Sequence, residues 1–244
     1  MTPTIYWTLV DSRSAPLETQ GVLCPSELQK FSAFRFPKRR NDWLLGRWTA
    51  KSLAHSLPAF HKYSLDQIEM HTSPQGAPYI QIAGEITPEH CLSISHSAGF
   101  AFCALATESS LRLGADLEKI EARTETFIMD YFTPGEQQIV AGCPAETRAS
   151  VVTLIWCAKE AMLKALGVGL HQDTRSVEVQ RVADFMDGNI TDWKKVQLGE
   201  TQTGAHAWAG WWQPRDQFIL TLACLPASIK VRQPILLVEK RLLK

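Results

Sequence analysis

Apolar and polar positions recur with two different periods along this chain, which predicts a mixture of strands and helices. Residues 92–96 alternate between apolar and polar, and residues 100–106 are almost continuously apolar. Ser97-Ala98-Gly99 separates them, so we expect a hairpin. Residues 111–118 predict a further strand of the same small sheet. Other predicted strands lie at the N-terminus and at residues 79–82, 177–180, 195–198, 205–212 and 218–225.

Helices are predicted between these strands. Residues 26–36 and 39–56 flank Pro37, and Thr133-Pro134-Gly135-Glu136 combines a Thr cap, Pro at the first helical position and Glu three residues after the cap. A longer helix is predicted at residues 147–166, before Gly167-Val168-Gly169, because glycine tolerates the left-handed conformation that ends helices. Residues 99–106 and 217–224 resemble each other, but this echo alone leaves a duplication open.

One face of the second predicted helix is basic. At 100° per residue, Arg40, Arg47 and Lys51 fall in one sector beside the apolar Leu44 and Trp48. Guanidinium groups offer planar forks of donors that suit phosphate. The alternative is a solvated face whose long stems cover apolar surface.

Composition excludes several classes of protein. Lys plus Arg and Asp plus Glu both number 25 in 244 residues, so no net field attracts nucleic acid. The six cysteines are scattered without a CxxC pair, which argues against a zinc site or a disulfide framework and favours a reducing cytoplasm. We also expect no secretory signal and no membrane span.

Paired acidic residues end the strand predicted at residues 111–118. Asp116 and Glu118 are two positions apart, so both carboxylates lie on one side of a strand. Their repulsion calls for a cation, and carboxylate oxygens suit Mg²⁺. For an isolated Asp-x-Glu pattern, a solvated strand face is the more common explanation.

Two other groups of residues offer chemistry. Glu160 and Lys164 are four apart on the longest predicted helix, a spacing that also gives ordinary helical ion pairs. Ser95 and His96 precede the hairpin turn and offer a hydroxyl and an imidazole to a phosphate, although a single histidine is more often structural. No GxSxG elbow, P-loop or Rossmann glycine motif is present.

In this order, the motifs resemble those of the surfactin-synthetase-activating class of 4′-phosphopantetheinyl transferases. The resemblance covers about residues 30–170 and includes the complete family pattern Trp-x-x-Lys-Glu-Ala-x-x-Lys. The matching elements are, in chain order, Arg40, Arg47, Ser95-His96-Ser97, Gly114-Ala115-Asp116-Leu117-Glu118, Phe132-Thr133 and Trp156-Cys157-Ala158-Lys159-Glu160-Ala161-Met162-Leu163-Lys164.

The resemblance implies an α+β fold built as a pseudo-twofold pair of similar lobes, each a small antiparallel sheet with helices. The expected lobes are residues 1–110 and 111–244, with coenzyme A in the cleft between them. The echo between residues 99–106 and 217–224 agrees with such a pair.

The resemblance also implies a role for each site residue. Asp116, Glu118 and Glu160 would bind Mg²⁺ against the pyrophosphate of coenzyme A. Glu160 and Lys164 would be catalytic, with Glu160 as the base and Lys164 at the reacting phosphate. Residues expected to contact the coenzyme are Arg40, Arg47, Ser95, His96, Asp116, Lys159 and Lys164.

Two features of the coenzyme site are less regular. Relatives often carry a basic residue between Gly76 and Pro78, where this chain has Ala77, so one phosphate contact is missing. The arginine motif is loosely defined, so Arg39 is an alternative to Arg40.

The implied reaction transfers phosphopantetheine from coenzyme A to a serine of an apo acyl or peptidyl carrier protein. Alternatives are a non-catalytic module that binds coenzyme A or a carrier, and a metal-dependent hydrolase of nucleotide pyrophosphates. A cytoplasmic monomer is expected, with no nucleic-acid or membrane partner. Residues 119–150 are the expected carrier-docking region, with Phe127, Met129 and Phe132 as apolar anchors or, equally, as core residues.

Overall fold

The computed structural model describes residues 3–15, 18–74, 76–108, 110–182, 192–201, 207–225 and 235–236, which divide into two compact units. The first unit holds the described residues up to Ser110 together with Ile235–Leu236, and the second holds those from Leu111 to Leu225. The lobe division predicted from the sequence places residues 235–236 in the second lobe instead. The remainder of the lobe division and the pseudo-twofold relation stay predictions.

The first unit contains two helices and two small sheets. In chain order its elements are β1 (Ile5–Asp11), α1 (Pro25–Ser32), α2 (Pro37–His55), β2 (Ile68–Thr72), β3 (Pro78–Ile82), β4 (Glu85–Ile86), β5 (Cys91–Ser97) and β6 (Phe100–Ala106). The second unit contains β7 (Arg112–Lys119), α3 (Glu125–Tyr131), α4 (Pro134–Gly142), α5 (Ala145–Leu166), β8 (Val177–Val182), β9 (Lys194–Glu200), β10 (Ala209–Arg215) and β11 (Phe218–Leu225). The last strand, β12 (Ile235–Leu236), pairs with β1.

The sheets are small and largely antiparallel, and the α+β class is therefore as predicted. In the first unit the strand orders are β12-β1-β6-β5 and β2-β3-β4, with β12 parallel to β1. In the second unit the order is β7-β11-β10-β9-β8, and every pairing is antiparallel. Strands β6 and β11 hold equivalent places, each beside the first strand of its unit, and they contain the two stretches that resemble each other in sequence.

Most predicted elements are confirmed, with shifted ends. The prediction that residues 111–118 join the sheet of the hairpin at residues 92–106 is wrong, because β7 pairs with β11 in the sheet of the second unit. The Thr133 side chain accepts a hydrogen bond from the Glu136 amide at the start of α4, as expected for a capping box. Helix α2 includes Pro37 at its first turn, which proline tolerates because that amide has no helical partner. The strand predicted at 205–212 is observed at Ala209–Arg215, and its residues 205–206 lie outside the described residues. Helix α3 was not predicted, since its seven residues give too little periodicity.

Helix α5 forms the centre of the core of the second unit. Its apolar residues pack against β7 and β11, and the helix ends at Gly167, whose φ of 74° is the left-handed conformation that glycine adopts without strain. The buried side chains that α5 contributes are Val151, Val152, Leu154, Ile155, Trp156, Cys157, Ala158, Ala161, Met162 and Leu163.

Gly114 allows α5 to lie directly against β7. A Cβ atom at this position would come within 1.7 Å of the Ala161 carbonyl oxygen and 2.8 Å of the Ala165 amide nitrogen. Both are backbone atoms, so the contact could not be relieved by a change of rotamer. Glycine at 114 therefore fixes the distance between the strand that carries Asp116 and the helix that carries Glu160.

Each unit also contains a buried carboxylate paired with a lysine of its longest helix. Glu27 at the start of α1 pairs with Lys51 of α2, and Glu136 at the start of α4 pairs with Lys159 of α5. Each glutamate also accepts a hydrogen bond from a strand amide, that of Met70 or Val179. The same arrangement therefore fastens the long helix in both units.

Replacing Gly114 by alanine should lower the free energy of unfolding by about 1–3 kcal/mol, because the added methyl group overpacks the contact between β7 and α5. The midpoint of urea unfolding measures this effect. Gly142→Ala is the matched control, since a Cβ there meets no atom within 4 Å. Equal midpoints for the two variants would contradict the proposed close approach.

Candidate functional site

Three carboxylates converge in the second unit. Asp116 and Glu118 lie on the same side of β7, and Glu160 faces them from α5; one oxygen of each lies within 4.8 Å of the others. Asp116 is buried, while Glu118 and Glu160 are partly buried. The alternative of a solvated strand face for the Asp-x-Glu pair is therefore wrong.

Thr221 of β11 links the strands to the helix. It lies opposite Asp116 in the strand register, and its hydroxyl donates to the Cys157 carbonyl at 2.9 Å, one turn before Ala161. Together with the contact at Gly114, this hydrogen bond sets the position of Glu160 against the acids of β7.

Burial and the neighbouring negative charge make Glu118 and Glu160 hard to ionise without a cation. Burial first, and then the neighbouring Asp116, raise the pKa of Glu118 to about 7; Arg123, Lys164 and a hydrogen bond from Trp156 act in the opposite sense. Burial, with Asp116 next, also raises the pKa of Glu160 to about 7, and Lys164 opposes that shift. The cluster therefore gains from any added positive charge.

Lys164 supplies part of that charge. Its Nζ donates to Asp116 Oδ1 at 2.6 Å and to the Ala115 carbonyl at 3.2 Å. Burial alone would lower the pKa of Lys164, but Asp116 and Glu160 raise it above its usual value. Lys164 thus stays protonated beside the acids. Arg123 lies farther from the acids than Lys164 does, with its Nη2 3.8 Å from Glu118 Oε2.

The donor set fits Mg²⁺. Hard divalent cations prefer oxygen ligands, and Mg²⁺ typically takes one or two carboxylates with water and substrate phosphate. Asp116, Glu118 and Glu160 together carry more negative charge than Lys164 offsets. These three residues are the ones that would hold the ion.

The Lys159 side chain does not face the carboxylate cluster. It is 0% exposed, and its Nζ donates to Glu136 at 2.6 Å and to the Val177 carbonyl at 2.7 Å. Adjacent residues of a helix point in directions about 100° apart, so Lys159 points into the core while Glu160 faces β7. The expectation that Lys159 binds the coenzyme is replaced by a structural role.

The basic face predicted for α2 is also different in the structure. Lys51 is fully buried and paired with Glu27, so it is not part of a solvated face. Arg47 is 6% exposed and lines a cavity of about 180 Å³ with Trp43, His96 and the turn that contains Gly76. Of the three cations predicted for this face, Arg40, Arg47 and Lys51, only Arg47 borders that cavity.

A wider groove of about 700 Å³ in the first unit shares Asp42, Trp43 and His96 with that cavity. It is lined by aromatic and cationic side chains, and its remaining residues are Lys30, Phe34, Phe36, Lys38 and Arg39. The sequence reasoning missed Lys30, because it lies on another helix, α1. The pattern of Lys30 and Lys38 on either side of three phenylalanines was the available signal.

The other predicted coenzyme contacts vary in position. His96 is exposed and borders both cavities, whereas Ser95 is buried and borders neither of them. Arg40 stacks over Phe31 at 5.4 Å, and its neighbour Arg39 lines the groove. Arg39 is therefore the better placed of the two arginines. Ala77 is exposed and offers no cation.

The predicted apolar anchors divide between core and surface. Phe132 is 0% exposed and belongs to the core, whereas Met129 is 61% exposed. Phe127 is partly buried, with its ring centroid 5.0 Å from that of Trp156. An anchoring role for Phe132 is therefore wrong, and Met129 is the accessible member of the three.

Fold and site together define a class: an α+β protein with three clustered carboxylates of the kind that can hold a divalent cation and a lysine beside them. Residues 112–221, which contain all four of these side chains, match the model of the 4′-phosphopantetheinyl transferase superfamily.

Curated relatives point to the same family. The chain is 28% identical to the 4′-phosphopantetheinyl transferase HetI of Nostoc sp., over 62% of each protein. It is 28% identical to a 4′-phosphopantetheinyl transferase of Bacillus subtilis, over 53% of this chain and 54% of that protein. With the L-aminoadipate-semialdehyde dehydrogenase-phosphopantetheinyl transferase of Schizosaccharomyces pombe it shares 23% identity over 96% of this chain and 95% of the relative.

Residues 112–221 of the chain are thus similar to the 4′-phosphopantetheinyl transferase superfamily. The matches to the Nostoc protein and to a putative Synechocystis transferase span 62% and 59% of those proteins. A solved holo-(acyl-carrier-protein) synthase of Bacillus anthracis, in complex with coenzyme A (3′,5′-ADP), is 23% identical over 44% of this chain and 96% of that one, with a TM-score of 0.36. None of the helices in the described part of the chain is long and apolar enough to cross a membrane.

Mg²⁺ binding should strengthen as the pH rises through about 7, because Glu118 and Glu160 must lose protons to become ligands. Without the ion, these raised pKa values favour the folded state at low pH, and this stabilisation is lost as the pH rises through about 7. Mg²⁺ should therefore raise the melting temperature more at about pH 8 than at about pH 6. An equal increase at both values, or an increase that persists in Asp116→Ala, would contradict this assignment.

Proposed function

We propose that this protein transfers the 4′-phosphopantetheine group of coenzyme A to a serine of an apo acyl or peptidyl carrier protein and releases adenosine 3′,5′-bisphosphate. The observation that carries the proposal is the cluster of Asp116, Glu118 and Glu160 with Lys164, in a segment that is similar to this superfamily. This set combines cation ligands, a base and a fixed positive charge in one place.

Glu160 is the proposed base. Its carboxylate is partly buried beside Asp116, Glu118 and Lys164, and in the absence of a cation burial raises its pKa to about 7. The carrier serine loses its proton to Glu160, and its oxygen bonds to the β-phosphorus of the coenzyme. The bond from that phosphorus to the bridging oxygen breaks, and the bridging oxygen leaves with adenosine 3′,5′-bisphosphate.

Lys164 is the proposed partner of the reacting phosphate. Its ammonium group is held beside Asp116 and stays charged, so it can stabilise negative charge on phosphate oxygens without reorganising. Bound Mg²⁺ supplies further positive charge to the pyrophosphate oxygens.

Arg47 and His96 are the proposed contacts for the nucleotide phosphates, since both border the small cavity of the first unit. Lys30 and Arg39 line the adjoining groove and add cations that Ala77 does not provide. Contacts from Arg40 and Ser95 stay predictions. The two-lobed subclass, action as a monomer and a cytoplasmic location are also our expectations.

The direct test is to incubate the protein with coenzyme A, Mg²⁺ and a panel of apo carriers from fatty-acid, polyketide and peptide synthesis, and to weigh each carrier. At least one carrier should gain one phosphopantetheine mass. Asp116→Ala and Glu160→Gln should each lose at least about 100-fold in rate, because even the groups that support metal ligands are worth up to that factor.

Glu85→Gln is the control, since it removes an exposed carboxylate from β4. It should transfer at the wild-type rate. If no carrier in the panel gains mass, the proposed function is wrong: cleavage of coenzyme A without a carrier would indicate a hydrolase, and binding alone a non-catalytic module.

A further inference from the structure

Glu27 is a buried carboxylate at the start of α1 with several partners in the first unit. It pairs with Lys51 of α2 and accepts hydrogen bonds from the backbone amides of Cys24 at 3.0 Å and Met70 at 3.2 Å. Lys51 Nζ also donates to the Val22 carbonyl at 2.6 Å. These contacts join α1, α2 and β2.

Glu136 has the corresponding set of contacts in the second unit. It accepts hydrogen bonds from the amides of Thr133 and Val179, each at 2.8 Å, and from Lys159 Nζ at 2.6 Å. The sequence separations agree as well: 24 residues separate Glu27 from Lys51, and 23 separate Glu136 from Lys159. One lysine is therefore sufficient for the structural role of the carboxylate.

The first unit differs by a second cation. Arg47 lies one helical turn before Lys51, and its Nε is 3.9 Å from Glu27 Oε1. The residue one turn before Lys159 is Ile155, which is apolar and fully buried. The need to hold α2 in place therefore does not explain the contact between Glu27 and Arg47.

Arg47 is held by charge and stacking, and its Nε donates no close hydrogen bond in the described structure. The guanidinium carbon lies 4.9 Å from the centre of the Trp43 ring, and Nε is buried with no hydrogen-bond partner in the described structure. Burial lowers the pKa of Arg47, while Glu27 acts to raise it. Two cations of one helix thus share the carboxylate of Glu27, and Arg47 is the one of the two that borders the cavity, which Asp42 and His96 also line.

We infer that Glu27 is a positioning residue, which holds the Arg47 guanidinium at this cavity so that it can bind a phosphate group of the coenzyme. The inference rests on the proposed function. A buried guanidinium needs a nearby carboxylate to offset its desolvation, and without Glu27 it would also be repelled by Lys51. Arg47 would then turn towards solvent, and the cavity would lose its cation.

The test is the affinity for adenosine 3′,5′-bisphosphate, measured by calorimetry without Mg²⁺. E27Q/K51M removes the carboxylate and lysine together, which avoids leaving Lys51 buried without a counter-charge. Its Kd should rise about tenfold, equivalent to about 1.4 kcal/mol, and approach that of R47A. In carrier loading, the KM for coenzyme A should rise while kcat stays within about twofold, since the interaction is made equally in ground and transition states.

E136Q/K159M is the matched control, because it removes the same pair from the second unit. It should lower the melting temperature comparably and leave the Kd for the bisphosphate within about twofold of wild type, as expected for independent sites. If E27Q/K51M does not fold, E27D serves instead: it keeps the charge, moves the carboxylate away from Arg47 and should also weaken binding.

Wild-type affinity in the folded E27Q/K51M or E27D protein, while R47A binds weakly, would overturn the role of Glu27 and leave the proposed function intact. A wild-type protein that neither binds the bisphosphate nor loads any carrier would instead refute the proposed function and, with it, this inference.

Discussion

The repulsion among three carboxylates held within 4.8 Å of one another is the constraint on which the second unit depends. Such a cluster forms only if the strand and helix that carry it cannot separate. The close backbone approach at Gly114 and the hydrogen bond from Thr221 to α5 provide that restraint. The stability of the fold thus maintains an arrangement that is electrostatically unfavourable, and a cation relieves it.

The two units fasten their long helices in the same way and use the result differently. In the second unit the buried pair of Glu136 and Lys159 fixes the helix, and the next residue, Glu160, faces the acids of β7. In the first unit the corresponding pair is joined by Arg47, which faces a cavity. One unit therefore presents negative charge suited to a cation, and the other presents positive charge suited to an anion.

Features that neighbouring residues determine could be predicted from the sequence, whereas features that depend on contacts between residues far apart in the chain could not. Asp116 and Glu118 were predicted as a pair because the period of a strand is local, and the cap at Thr133 was predicted for the same reason. Lys51 and Lys159 were misinterpreted as surface or ligand-binding residues, because their partners lie 24 and 23 residues earlier. Both partner glutamates stand two positions after a proline that begins a helix, a repeated signal that was present in the sequence but is informative only once the pairing is known.

The most direct test of the account is a crystal structure of the protein grown with Mn²⁺, which has oxygen-ligand preferences close to those of Mg²⁺ and can be located by its anomalous scattering. We expect one strong anomalous peak in the second unit, bound by carboxylate oxygens of Asp116, Glu118 and Glu160, with the Lys164 ammonium nearby. A peak bound by other residues, or none at these three carboxylates at saturating Mn²⁺ above pH 7, would contradict it.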